Sequence, residues 1–167
     1  MNKSLPALAL LLVMLSPWAV AAEDDALVTF KSMKPELALE LAQQTLKACR
    51  KAGFQVAVAV VDRAGVVQVI LRDRLAGAHT PETARRKAWT AASFRTDTLS
   101  MMEETQSGKP QSGIRFVSEA IMAGGGVPVT AAGAMVGAVG VSGAPGGEED
   151  QQCAQIGIES ITESLMF

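Results

Sequence analysis

Tyrosine is absent from this chain, histidine occurs once, cysteine twice, and aromatic side chains make up only 4% of its 167 residues. Each shortage excludes a chemistry. With His79 as the single imidazole, any Ser-His-Asp or Cys-His grouping has to use it, and no cysteines or histidines stand at metal-ligand spacing. After residue 20 no apolar run approaches the roughly 20 residues a membrane-spanning helix needs. A G-x-G-x-x-G fingerprint counted from Gly124 meets Val129 where glycine is required, and Gly140-Val141-Ser142-Gly143 misses the G-x-S-x-G elbow because Ala144 follows. The formal net charge of −2 gives little attraction for phosphate backbones or anionic lipid. The one dense basic cluster, Arg85-Arg86-Lys87, is too short for a nucleic-acid footprint. Nucleic acid is not an expected partner.

What is present begins with an export signal. Lys3 precedes an apolar run from Leu5 to Val20 that contains Pro6 and Pro17 and ends in the small-residue pattern Ala19-Val20-Ala21 before Glu23-Asp24-Asp25. Residues 1–22 therefore read as a cleaved secretory signal, 23–34 as a flexible leader and 35–167 as one domain. The alternative, an uncleaved anchor, lacks the positive residues after the run that would stop transfer. Loss of Lys3 with the signal moves the charge from −2 to −3. The expected location is periplasmic or secreted, with no membrane span left after cleavage. There Cys49 and Cys153 can form a lasting disulfide. Both lie on apolar helical stripes, and buried unpaired thiols fit that placement equally well.

Apolar positions from Leu37 to Ala52 recur at helical spacing between Pro35 and Gly53, which predicts an amphipathic helix. Val56, Val58 and Val60 then alternate with small residues, and Asp62-Arg63-Ala64-Gly65 supplies a turn, predicting a hairpin with strands near 55–62 and 66–72. A second hairpin is expected over 127–131 and 134–141, with Pro128 either pushing its first strand toward an edge or standing at the strand start. Thr80 is placed to cap a helix whose first residue is Pro81 and whose stripe of Ala84, Ala88, Ala91 and Ala92 permits close approach to whatever it faces. A short helix near 97–105, a breaker-rich loop over 106–113 expected to be the most mobile part, and a last helix after Gly146-Gly147 complete the pattern. Two hairpins with helices between and outside them predict an α+β domain.

The stretch from Gly124 to Asp150 holds 9 of the 15 glycines and almost no bulky side chain. Such a backbone either turns tightly or lets another surface, a ligand or a second subunit, come close. Glu103-Glu104 and Glu148-Glu149 read as solvated helix ends rather than an acid/base pair, and the acids after Gly146-Gly147 favour capping over an anion cradle. In Gly77-Ala78-His79-Thr80-Pro81, a histidine just outside a helix's positive end is biased toward the neutral, metal-binding imidazole. Taken alone, a solvated loop histidine is the plainer account. Arg85, Arg86 and Lys87 follow one to two turns later, within reach of a charged ligand tail.

Four blocks carry a family resemblance: Val60-Val61-Asp62-Arg63-Ala64-Gly65; Ala84-Arg85-Arg86-Lys87-Ala88 with Thr90-Ala91-Ala92-Ser93-Phe94; Gly124-Gly125-Gly126-Val127-Pro128-Val129; and Gly137 to Gly143 running into Glu148-Glu149-Asp150. In order and spacing they resemble the GlcG/HbpS family of haem-binding proteins over roughly residues 35 to 165. The resemblance implies an α+β fold with a five-stranded antiparallel sheet flanked by helices in profilin-like layering, and assembly into a homo-oligomer. It also implies haem as cofactor, with a corrinoid as the alternative, since family members differ in ligand. It offers no single iron-ligand motif to lay on this chain. His79 is therefore assigned to the iron from side-chain chemistry, with Met101 or Met102 as a second ligand. Thr80 would add an oxygen contact, and Arg85, Arg86 and Lys87 would pair with haem propionates.

The resulting expectation is an exported, non-enzymatic haem-binding protein in haem or iron handling or redox sensing, beside a membrane-bound sensor or transporter partner. One rival is an enzyme or accessory subunit acting on a small 2-hydroxy acid or a corrinoid, with Asp62, Glu82 and His79 as acid or base. The other is a structural oligomer whose Gly/Ala surfaces pack subunit on subunit.

Overall fold

The computed structural model describes residues 26–166, so the signal-peptide reading of residues 1–22 lies outside the described residues. Helix α1 (Pro35–Lys51) has Glu36 at its positive end and Arg50 and Lys51 at its negative end. Gly53 follows with φ of 88°, a left-handed conformation that glycine takes without steric cost. Strands β1 (Ala57–Asp62) and β2 (Val67–Arg72) form the first hairpin. Its turn is fixed by Asp62, whose Oδ1 accepts from the Ala64 and Val66 amides at 2.8 and 2.9 Å. Helices α2 (Thr80–Phe94) and α3 (Thr98–Glu104) come next, then β3 (Gly126–Ala131), β4 (Ala134–Ser142), α4 (Gly147–Ser160) and the short α5 (Thr162–Leu165). These bounds lie close to those read from periodicity.

The strands pair antiparallel throughout in the order β2-β1-β4-β3. Pro128 sits on edge strand β3, where a missing N–H costs no ladder bond. The five-stranded sheet implied by the family resemblance is corrected to four strands among the described residues. Gly108, Pro110, Gly113, Gly124 and Gly125 interrupt any alternation between α3 and β3, and the segment forms turns and a 3-10 helix (Ser112–Phe116) instead. Arg115 ties this segment to α3, donating to the Thr105 carbonyl at 2.6 Å and the Met102 carbonyl at 2.9 Å.

Alternation along β1 divides the molecule into two layers around the sheet. Val56, Val58, Val60, Val139 and Val141 join Leu41, Leu46 and Ile161 in the larger core beneath α1 and α4. Cys49 and Cys153 meet there as a disulfide with a Cα–Cα distance of 5.3 Å, which decides between the two cysteine readings in favour of the bridge. The opposite face is built from small residues: Ala57, Ala59, Val61 and Ala138 of the sheet against Ala84, Ala88, Ala91 and Ala92 of α2. A Cβ on Gly140 would collide with the Ala84 carbonyl and lie 2.6 Å from the Ala88 nitrogen. The surface that comes so close to the alanine stripe is thus the chain's own sheet. This removes the Gly/Ala faces on which the structural-oligomer reading rested.

Candidate functional site

The start of α2 sets the position of His79. Its backbone is already helical, at φ −77° and ψ −21°, and it occupies the N-cap with no side-chain capping bond. Its carbonyl accepts from the Thr83 amide at 3.1 Å and the Thr83 hydroxyl at 3.0 Å. The imidazole is exposed and folds over Gly77, where a Cβ would lie 2.8 Å from Cε1 and 2.9 Å from Nδ1. Both ring nitrogens lack a protein partner among the described residues, so either can meet a ligand. Thr80 differs from expectation. It is 1% exposed, and its hydroxyl turns back to donate to the Gly77 carbonyl at 2.8 Å, so its oxygen braces the turn instead of facing a ligand.

The basic triplet that follows sends its three charges to three internal destinations. Arg85 donates to both Glu82 oxygens at 2.8 Å and to Glu119 at 2.6 Å. These bonds raise the guanidinium pKa, and the bond from Arg85 holds the Glu82 carboxyl below its usual range. Arg86 donates to the carbonyls of Ser118, Glu119 and Ala120 at 2.9–3.1 Å, stapling that loop along α2. Lys87 points the other way, into the protein, and meets Asp150 at 2.6 Å with side-chain exposures of 4% and 5%. The expectation that Arg85, Arg86 and Lys87 present free cations to propionates is therefore replaced: each already holds a protein oxygen. Arg85 and Arg86 are half-buried and still reach solvent, whereas Lys87 is closed to a competing anion.

Lys87 belongs to a glycine corner that sequence reasoning treated as a binding clue. A Cβ on Gly126 would run into the Lys87 carbonyl and lie 2.7 Å from the Thr98 methyl, while one on Gly147 would lie 2.8 Å from the Gly124 nitrogen. The Gly126 amide donates to the Thr98 hydroxyl at 2.8 Å, and the Ala144 amide to Asp150 at 3.0 Å. Burial is the largest influence on Asp150 and pushes its carboxyl up, against the opposing pull of Lys87. A cleft of about 300 Å³ opens beside this corner, lined by Lys87, Leu99, Met102, Gly124 and Gly147 among others. Met101 is 6% exposed, and Met102 reaches a cleft that His79 does not line, so neither methionine stands with the imidazole.

Of the trio suspected of acid or base work, His79 and Glu82 stand three residues apart at the start of α2, whereas Asp62 is set apart from them. Asp62 is occupied with its turn, and Gly65 of that turn lies against Trp89, seven residues or about 10 Å along α2 from Glu82. The buried Lys87–Asp150 pair is the feature sequence reading missed. Its signal was available: positions 84, 87, 88 and 91 share one helical face, as do 150, 153, 154 and 157.

This chain is a small α+β domain whose four-stranded antiparallel sheet lies between a disulfide-bonded helix pair and an alanine-faced helix, and solved structures share its overall fold. Streptomyces reticuli HbpS carrying two glutamate-to-aspartate changes is 34% identical over 93% of this chain and 99% of its own, at a TM-score of 0.76. A second HbpS crystal structure is 36% identical, covering 85% and 99%, at 0.77. The PduOC:heme complex is 26% identical, covering 78% and 95%, at 0.72. Residues 33–159 match the family described as "Haem degrading protein HbpS-like", and the chain belongs to that HbpS-like family. None of the curated proteins matches the chain.

Proposed function

We propose that this chain is an exported haem-handling protein whose only histidine, His79, ligates the iron. The observation that carries the reading is the exposed, unpartnered imidazole seated over Gly77, in a chain whose family is described by haem chemistry. A solved relative at 26% identity is a haem complex, which favours haem over a corrinoid as the guest. Haem needs a nitrogen or sulfur donor, an apolar surface and cations near its propionates. His79 fits the first need. Leu75, 77% exposed, precedes it by four residues, and Phe116, 90% exposed, lies on the segment next to the loop that Arg86 staples to α2. These apolar groups are open on a single chain, so a second copy closing over them is the natural cover and favours a homo-oligomer. Arg85 serves a propionate by releasing Glu82 or Glu119. When bound, haem would supply redox-active iron; the protein supplies the donor, the apolar contact and the counter-charge.

Export is supported by the residues before Glu23 and by the Cys49–Cys153 bridge, which persists in oxidising compartments. Redox sensing or delivery to a membrane-bound sensor or transporter extends this reading. Among the described residues no helix is long and apolar enough to cross a membrane. Titration of the mature protein with haemin tests the proposal: a saturable Soret shift is expected, weakened at least about tenfold by His79→Ala. Absence of saturation would overturn haem binding, and an unchanged His79→Ala titration would overturn the ligand assignment. The family's description also favours turnover, which the same sample reads as bleaching of the bound Soret band once a reductant and oxygen are supplied.

A further inference from the structure

Both hairpin turns and the end of α2 converge at one edge of the sheet. There a groove of about 330 Å³ is lined by Arg63, Arg95, Pro128, Thr130, Ala134 and Met135 among others. A neighbouring groove of about 540 Å³ shares Arg63 and Ala134 and adds Phe30 and Ala132. Among the described residues no aspartate or glutamate lines either one, although the chain as a whole is acidic. Arg50 and Arg85 hold carboxylates, but Arg63 and Arg95 have no acidic or carbonyl partner among the described residues. Arg63 rests its Cζ 4.4 Å from the centroid of Phe30, a stacking contact that steadies the guanidinium and leaves its edge N–H groups free.

The backbone marks the same place independently. Among the described residues two non-glycines take positive φ, Arg95 at 55° and Ala132 at 48°, and both border these grooves. Each left-handed residue costs about 1 kcal/mol, and glycine would end α2 without that penalty. The helix's negative end favours a cation, yet that does not account for Arg63 and Arg95 sharing a groove with no carboxylate among its described lining residues, although Asp62 and Asp97 stand near them in the chain. Strained backbone of this kind gathers at ligand sites.

We propose that Arg63 and Arg95 form a binding site for a small carboxylate- or phosphate-bearing anion. Guanidinium forks pair with such oxygens bidentately. The Thr130 hydroxyl adds a polar contact, and Pro128 and Met135 offer surface for a short carbon skeleton. The volume is at the lower end of small-molecule sites, suited to a compact anion rather than a tetrapyrrole. His79 stands at the opposite end of the 15-residue α2, about 22 Å away, so the two sites are tested separately.

Calorimetric titration of the mature protein with inorganic phosphate and, separately, with succinate, at ionic strength held constant with chloride, tests the site. Saturable binding of at least one is expected, and whichever binds assigns the oxyanion class. Affinity should fall at least about tenfold in Arg63→Gln and in Arg95→Gln, with the haemin titration unmoved. Arg95→Gly removes the guanidinium and suits the left-handed backbone, so it should melt higher than the parent in anion-free buffer while losing the anion response. Failure of both anions to saturate, or variants that bind as well as the parent, would overturn the proposal.

Discussion

Asp97 accepts three hydrogen bonds from two neighbours. One carboxylate oxygen accepts from the Ser100 amide at 2.9 Å and from Gln151 Nε2 at 3.1 Å, and the other accepts from the Ser100 hydroxyl at 2.8 Å. Burial is the largest single influence and pushes this carboxyl up, but the hydrogen bonds together outweigh it and leave the pKa below its ordinary value. A carboxyl lowered in the folded state binds fewer protons there than in the unfolded chain. Its stabilisation is therefore present above the ordinary aspartate pKa of about 4 and is lost as pH falls through the folded value. Thermal melts across that acid range should fall more steeply for the parent than for Asp97→Asn, and parallel curves would contradict the assignment. Single residues also show what a sequence reader can and cannot see. The exposure of His79 follows from its place among Gly77, Ala78 and Pro81, and Glu82 lies within a turn of Arg85, whereas Glu119 and the carbonyls that Arg86 reaches lie 32 to 34 residues away and leave no local trace.

At the level of elements, α2 is the organiser, and its contact with the sheet explains how far periodicity carries. The alanine stripe announced a close approach, and the close approach exists. That its partner would be Gly140 and Gly126 was not legible, because strand pairing across 40 or more residues is set by tertiary packing rather than local pattern. The same stripe carried Lys87, whose basic neighbours made it look solvated. Five strands were expected by resemblance alone, while the residues between α3 and β3 never showed the alternation a further strand requires. The buried Lys87–Asp150 contact gives this element its own test. Lys87→Met strands a carboxylate that is 5% exposed and should cost about 3–5 kcal/mol in urea unfolding. Adding Asp150→Leu should recover most of that loss; no recovery would mean that Lys87 acts through packing and not through its charge.

Across the whole molecule the two faces of the sheet are secured differently. One is covalently closed by Cys49–Cys153, a loop of 104 residues whose closure lowers unfolded-state entropy by the equivalent of about 4–5 kcal/mol. Urea unfolding with and without reductant, with Cys49→Ser/Cys153→Ser as control, should show a loss of that order; equal midpoints would mean that the bridge does not form in solution. The other face has no covalent bond across it: alanines and one valine pack beneath α2, with Met135 against their margin. With main chain seated on main chain at Gly140 and Gly126, that helix has no slack in which to roll. Its ends carry His79 and Arg95, and a rod pinned along its middle keeps each tip in register with the sheet while the other end is altered.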